Sequence, residues 1–329
     1  MKKDVLEALK KNKNIFISGE TLSRGIGVTR AAVWKHIQQL KEEGYEIESI
    51  SRKGYRLISE PDTLDAHALE IDVAGNLLGH KVYYFDSVDS TNNMGKKLAA
   101  EGASEGTIVI AEEQTGGRGR LGRQWVSPKK TGIWMSIVLR PDIGPAEAPK
   151  ITQITAAAVT LAIRKLTECE VGIKWPNDII IQKKKVCGVL TEMSAELNSV
   201  NYIIVGIGIN VNNESDDFPI EIQDIATSIK NCTGKKVSRK MLVKEILKAF
   251  EELYIDFIQT KNIKKSVAVC KKYSVTLGKK VRIIDRTKEI TAEAIDLTED
   301  GELMVKNEAG EIQRVLSGEV SVRGIADYI

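Results

Sequence analysis

Gly117-Arg118-Gly119-Arg120-Leu121-Gly122-Arg123, followed by Trp125, is the stretch on which the reading of this 329-residue chain turns. Three arginines alternate with three glycines. Glycine bends a backbone tightly and lets it approach a ligand closely. The guanidinium fork suits phosphate and carboxylate oxygens. A cationic loop of this kind fits closure over an anionic intermediate. A solvated basic turn or an RGG-like nucleic-acid patch has the same composition, so the neighbours decide. Upstream, residues 107–111 read as a buried strand that delivers Gln114 to the loop. Downstream, 132–139 read as a second strand and 151–166 as a buried helix rich in alanine.

Further out, Val82-Tyr83-Tyr84-Phe85 reads as a strand that hands over to a helix at about 94–100. Ser90, Thr91 and Asn92 lie at the handover. Such groups either bond a ligand's urea or carbonyl beside the free N–H donors of a helix start, or simply cap the helix. Beyond the alanine-rich helix come Ile173-Lys174-Trp175-Pro176-Asn177-Asp178, a strand at 179–181, the basic turn 183–185 and Val186-Cys187-Gly188-Val189-Leu190. A lysine run is usually a solvated face. Lys185, at the mouth of an apolar strand with Gly188 three residues on, suits a cation aimed into a pocket. Residues 202–209 form a further strand with Gly206 and Gly208, ending at Asn210; glycine inside a strand marks a bulge, a close ligand approach or a coincidence.

The first sixty residues read as a winged helix-turn-helix. Val5, Leu6 and Leu9 give a short amphipathic helix, and Ser18 precedes a second helix holding Thr21 and Ser23, which Gly25 and Gly27 break. Thr29 caps a third helix to about residue 43, with Val33, Ile37 and Leu40 inward and Arg30, Trp34 and Lys35 exposed near its start. A hairpin follows, with Arg52 and Lys53 at its tip. In this motif the third helix enters the major groove and hairpin cations meet phosphates, most naturally as a dimer on two half-sites. A helical module for protein contact is the alternative, and Trp34 and Lys35 serve equally as packing and surface.

Composition is that of a globular protein, with 42% hydrophobic and 28% charged residues and a net charge of +3. Residues 1–60 hold 12 Lys/Arg against 8 Asp/Glu, so the basic excess sits at the N-terminus. Neither the four cysteines nor the three histidines have metal-ligand spacing, and no protein metal site is expected. No apolar run approaches a membrane span or a signal core, and the expected setting is a reducing cytoplasm. From about residue 273, short alternating segments with turns at Asp300-Gly301 and Ala309-Gly310 suggest a small barrel. There is no P-loop signature, and Gly206-Ile207-Gly208 lacks the third glycine of a dinucleotide fingerprint.

Taken together, these pieces resemble the bifunctional biotin–protein ligase and biotin-operon repressor family over nearly the whole chain. Ser90-Thr91-Asn92, Gln114, Gly117 to Arg123 with Trp125, Lys174 to Asp178, Lys185 with Gly188, and Gly206 to Asn210 fall in the family's order and approximate spacing. Gly116, where alanine is frequent, and Cys187, where a small residue is common, are minor departures. The resemblance implies an α+β multidomain chain: a winged helix at 1–62, a mixed α/β ligase domain at 63–274 and an SH3-like domain at 275–329. It implies ATP with Mg²⁺, biotin, a biotin carboxyl carrier protein, operator DNA and an adenylate-bound homodimer as partners. Biotin would meet Ser90, Thr91, Asn92, Gln114, Arg118, Gly119, Arg120, Lys185, Gly206 and Gly208, with Lys185, Arg118 and Arg120 carrying the charge stabilisation. The adenylate would meet Gly117, Arg123, Trp125, Lys174, Asn177, Asp178 and Asn210; Asn177 and Asp178 serve either the nucleotide or its Mg²⁺. Gly318-Glu319-Val320-Ser321-Val322-Arg323 matches the closing motif, where Arg323 either reaches the adenylate or is a surface residue. DNA would meet Thr21, Ser23, Thr29, Arg30, Trp34, Lys35, Arg52 and Lys53. A non-catalytic biotin sensor and a lipoate or octanoyl transferase of the same fold are the competing readings.

Overall fold

The structure is a computed structural model that describes residues 1–64, 77–284, 289–317 and 321–324. The helix expected from Thr63 or Asp65 to Leu69, and residues 318–320 of the closing motif, lie outside that range. Two compact units are present, Met1–Thr63 and Leu64–Ile329.

The first unit comprises α1 (Lys2–Lys11), α2 (Gly19–Ile26), α3 (Arg30–Glu42) and the antiparallel pair β1 (Glu46–Ile50) and β2 (Gly54–Ser59). Ser18 and Thr29 cap α2 and α3, their hydroxyls accepting from Thr21 N at 3.0 Å and Ala32 N at 3.2 Å. Gly25 stays inside α2, and the helix ends two residues later, at Gly27 with φ 76°. Val5, Leu9, Leu22, Val33, Ile37 and Leu57 form its buried core. The hairpin tip packs so closely that a Cβ on Gly54 would lie 2.0 Å from Ile17 O, at φ 107°.

The second unit is built on a seven-stranded sheet in the order β3-β4-β5-β9-β8-β7-β6. Its strands are β3 (Val82–Phe85), β4 (Ile108–Ala111), β5 (Gly132–Leu139), β6 (Val171–Lys174), β7 (Asp178–Ile181), β8 (Lys184–Ala195) and β9 (Val200–Asn210). β3 and β4 are parallel, joined across α4 (Thr91–Ala100); the other pairs are antiparallel. Period-two alternation gives the sheet two different faces. Ile133, Met135 and Ile137 of β5 and Val205, Ile207 and Ile209 of β9 join the main core with α5 (Ala148–Leu166) and α7 (Arg239–Thr260). Val138 and Ile204 instead pack with Ala99 of α4. This second face also carries Ser136, Gly206 and Gly208. A wholly buried ion pair, Arg239 Nη1 to Glu112 Oε2 at 2.6 Å, ties the start of α7 to the end of β4.

Two short helices, α6 (Ile229–Thr233) and α8 (Lys264–Lys272), lead to a five-stranded antiparallel sheet. It comprises β10 (Lys280–Ile284), β11 (Glu289–Leu297), β12 (Leu303–Lys306), β13 (Ile312–Val315) and β14 (Ser321–Gly324), in the order β13-β12-β11-β10-β14. The barrel expected here takes the form, among the described residues, of this sheet with β13 and β14 at its edges. Trp175 secures it to the rest of the unit: its backbone N donates to Thr276 Oγ1 at 3.0 Å and its indole to Gly301 O at 2.9 Å. The Trp175-Pro176 peptide is cis.

Candidate functional site: a cationic cavity over a glycine floor

A cavity of about 610 Å³ opens over the second face of the large sheet. Its floor is paired strand. Gly188 and Gly208 face each other across β8 and β9, and Gly206 lies between Leu190 and Ser136. The strands run without a bulge at Gly206 and Gly208, so close approach explains both glycines. A Cβ on Gly206 would come within 2.3 Å of Asn92 Oδ1, and one on Gly208 within 2.6 Å of Trp125 Nε1. The indole of Trp125 lies against Gly188 and Gly208, edge-on to buried Trp134 at 6.5 Å.

One end of the cavity is neutral and polar. α4 starts at Thr91, three residues before the expected Met94, because Ser90 serves as its N-cap. Thr91 donates to Gln114 Oε1 through both its backbone N (2.9 Å) and its hydroxyl (3.0 Å), and Gln114 Nε2 donates to Ser127 Oγ at 3.0 Å. Both ends of the Gln114 amide are thereby oriented. Asn92 is held as firmly: its Oδ1 accepts from Ser136 Oγ at 2.6 Å and its Nδ2 donates to Glu192 Oε2 at 2.7 Å. Glu192 also pairs with Lys96 at 2.5 Å. Ser127, Ser136 and Glu192 are supports that sequence reading missed. Ser136 did leave a signal, as a lone hydroxyl inside an apolar strand.

The other end is cationic. Lys185 points into the cavity because of a β-bulge. The register between β7 and β8 shifts after Ile179, which pairs with Cys187, so that Ile180 pairs with Lys185. Val186 and Cys187 therefore both face the core, and Lys185 shares the cavity face with Gly188. Simple alternation would have sent Lys185 to the core side with Cys187. The Lys185 ammonium pairs with Asp178 Oδ1 at 2.6 Å and sits 5.2 Å from the Trp125 ring centroid. Its backbone is clamped to the 225–227 segment through Ile225 O at 2.7 Å and Thr227 N at 2.9 Å.

The arginine loop crosses above. Arg120 donates to Asn177 Oδ1 at 3.0 Å and Ser317 O at 2.6 Å; its burial lowers its pKa, against the pull of Asp178. Arg118 and Arg123 are exposed on the cavity rim with Gly119. Gly117 lies beneath the loop, where a Cβ would meet Trp125 O at 2.5 Å; it supports the loop and does not line the cavity. Lys174 is only 6% exposed. Burial pushes its pKa down to about 8, helped by Lys185, Arg323 and Arg123 and opposed by Asp178. Asn177 Nδ2 donates to Val189 O, and Asn210 Nδ2 to Thr227 O. Arg323 reaches the same wall from β14, beside Arg282 of β10, a cavity residue absent from the sequence reading. Among the described lining residues, seven cations face one carboxylate, Asp178.

In the first unit, Thr21, Thr29, Arg30, Trp34 and Lys35 are exposed along α2 and α3, and Arg52 and Lys53 at the hairpin tip. Trp34 is 57% exposed, which removes it from the packing role left open above. Ser23 is half-buried and donates to Glu20 O, while Thr21 and Thr29 spend oxygens on capping contacts.

Three family models match the chain: an HTH domain over residues 2–56, the biotin/lipoate A/B protein ligase family over 84–210 and the biotin protein ligase C terminal domain over 276–323. Two relatives named bifunctional ligase/repressor BirA, from Bacillus spizizenii and Bacillus subtilis, are 39% and 38% identical, each over 98% of both chains. The solved structure of a biotin protein ligase from Aquifex aeolicus, in complex with biotin and ATP, is 35% identical with a TM-score of 0.65, the match covering 74% of this chain and 99% of that one. The fold is that of a biotin–protein ligase that carries a helix-turn-helix unit. The chain belongs to the bifunctional ligase/repressor BirA family. Among the described residues no helix is long and apolar enough to cross a membrane.

Proposed function

We propose that the chain activates biotin with ATP, passes it to a lysine of a biotin carboxyl carrier protein, and represses transcription when its own intermediate, biotinyl-5′-AMP, is bound. Residues 1–62 serve DNA, 63–274 the chemistry and 275–329 the nucleotide and carrier. The observation that carries this reading is the division of one cavity into a neutral, fully oriented polar end and a cation-rich end. A molecule with an uncharged hydrogen-bonding head and a carboxylate tail, meeting a nucleotide, fits that division.

In the first half-reaction a biotin carboxylate oxygen attacks the α-phosphorus, and the bond to pyrophosphate breaks. Two anions must meet, so fixed cations supply the stabilisation. Lys185 stands where carboxylate and phosphate converge, held by Asp178 and Trp125. Arg120, with Arg118 and Arg123, surrounds the adenylate and shields the mixed anhydride from water. The head of biotin lies against Thr91 and Gln114, with its ring and chain over the glycine floor and Trp125. Asn92 acts through Ser136 and Glu192 to hold that floor. In the second half-reaction a carrier amine attacks the acyl carbon and AMP leaves; orientation accounts for much of the acceleration. Mg²⁺ arriving on the triphosphate would find Asp178 as its carboxylate on this chain, and it would supply charge neutralisation there. For repression, the adenylate must bind the dimer more tightly than the monomer.

The test is ATP-dependent transfer of labelled biotin onto a carrier domain, with lipoate offered in parallel. Biotin transfer that lipoate does not match supports the reading. Tight biotin binding without transfer would make the chain a sensor, and preferential lipoate transfer would reassign it. For the repressor arm, operator affinity that is equal with and without biotinyl-5′-AMP removes the coupling.

A further inference from the structure

Three segments of the second unit meet around one buried amide. α5 buries every residue from 151 to 160, and Gln153, 2% exposed, is the only amide side chain among them. Its Nε2 donates to Pro176 O at 3.3 Å. Proline has no N–H, so this carbonyl is the one backbone polar group that Pro176 offers. The residues on either side are held as well: Trp175 N donates to Thr276 Oγ1 at 3.0 Å, and Asn177 O accepts from Val189 N at 3.0 Å. Gln153 also supports the turn between β11 and β12. A Cβ on Gly301, at φ 80°, would stand 2.7 Å from Gln153 Cγ, so only glycine lets that turn close on the amide. Three residues earlier on the same face of α5, Lys150 pairs with Asp300 Oδ1 at 2.9 Å. The Trp175 indole completes the ring of contacts by donating to Gly301 O at 2.9 Å.

Gln153 does not line the cavity, but the 175–178 turn does. There Asn177 Oδ1 accepts from Arg120 at 3.0 Å, and Asp178 pairs with Lys185 at 2.6 Å. Two cavity cations are thereby placed by a turn whose carbonyl rests on Gln153. Gln153 Oε1, in contrast, is buried with no hydrogen-bond partner among the described residues, and an unpaired buried acceptor opposes folding. Methionine, unbranched and of similar length, would remove that acceptor but leave Pro176 O without the amide, so the two changes offset each other in stability. What the exchange removes without replacement is the fixed position of the turn. A small displacement of a stabilising cation costs rate far more than it costs stability.

We propose that Gln153 is a positioning residue for adenylation. It latches the 175–178 turn to the β11–β12 turn, and so sets Asn177 and Asp178, and through them Arg120 and Lys185, at the cavity. The proposal rests on the adenylation reading above. The latch lets the Asp300-Gly301 turn, which does not line the cavity, bear on the chemistry through α5.

The experiment uses the full chain. Adenylate formation from biotin and ATP, without carrier, is followed in wild type, Gln153→Met, Asn177→Ala and the double variant, and the melting temperature of each is recorded. Gln153→Met should lower the rate constant for adenylate formation about tenfold and leave the KM for biotin within about twofold. Its melting temperature should stay within about 3 °C of wild type. Because Gln153 acts through the turn, the losses of the two single variants should not multiply in the double variant. An unaltered rate constant in Gln153→Met would overturn the latch. So would a rate loss that comes with a large drop in melting temperature, which would make Gln153 a support of the fold alone. Losses that multiply would place Gln153 outside the path through Asn177 and overturn it too. A wild type that forms no adenylate would overturn the ligase reading along with the latch, whereas an active wild type beside an unaltered Gln153→Met overturns the latch alone.

Discussion

The floor and the cationic wall of the cavity obey opposite rules. On the floor, glycines sit in regular ladders and each polar side chain of the Thr91–Gln114–Ser127 and Asn92–Ser136–Glu192 chains has a partner within the protein. The wall crowds like charges from a loop, a bulge and the C-terminal sheet around one carboxylate. A satisfied network is rigid before any ligand arrives, whereas a like-charged wall carries repulsion that an anionic ligand relieves. Substitutions in the floor should therefore cost stability, and substitutions in the wall should cost rate or affinity while leaving the fold intact.

The largest stability effect is expected beside the floor. Arg239→Ala strands Glu112 as an unpaired buried charge and should cost about 3–5 kcal/mol in denaturant unfolding. A loss under 1 kcal/mol would show that water reaches the pair. On the wall, Lys185→Ala should slow adenylate formation about 10²–10³-fold, with the melting temperature nearly unmoved; a large drop in melting temperature would erase the distinction. Returning to the floor, Gly206→Ala drives a methyl into Asn92 and should cost about 1–3 kcal/mol. Recovery in the double variant Gly206→Ala, Asn92→Ala would locate that cost at the predicted contact.

A smaller effect concerns pH. With its pKa near 8, Lys174 is charged below that pH and loses its charge as pH rises through it. Anion binding favours the charged form, so affinity is full below pH 8 and declines above it. The KM for ATP should rise about two- to tenfold between pH 7 and pH 9, and Lys174→Met should remove that rise. An unchanged profile in the variant would take Lys174 out of the anion site.

What could be read along the chain was whatever declares itself by residue type. The Gly/Arg loop, Lys174 to Asp178, and the glycines at 188, 206 and 208 are unusual for the elements they occupy, and all but Gly117 of the expected ligand-site residues line one cavity. What stayed hidden depends on pairing. Ser136, a lone hydroxyl in an apolar strand, is tied to the cavity floor only by its register with Gly206. Glu192 lay beyond the expected end of its strand at Leu190, because pairing with β9, not apolarity, carries β8 on to Ala195. The place of Lys185 at a strand mouth suggested a cation aimed into a pocket, and it does line the cavity, yet the bulge that turns it inward is visible only in three dimensions. Arg282 sat in an ordinary alternating strand, and nothing local marked it until Arg323 was found across from it.

The central claim is that one cavity joins biotin to a nucleotide. It is tested most directly by mixing the wild-type chain with biotin and ATP, without carrier, and identifying the bound species by mass spectrometry. The account predicts enzyme-bound biotinyl-5′-AMP with an equal amount of released pyrophosphate. Bound biotin beside intact ATP, with no pyrophosphate, would contradict it.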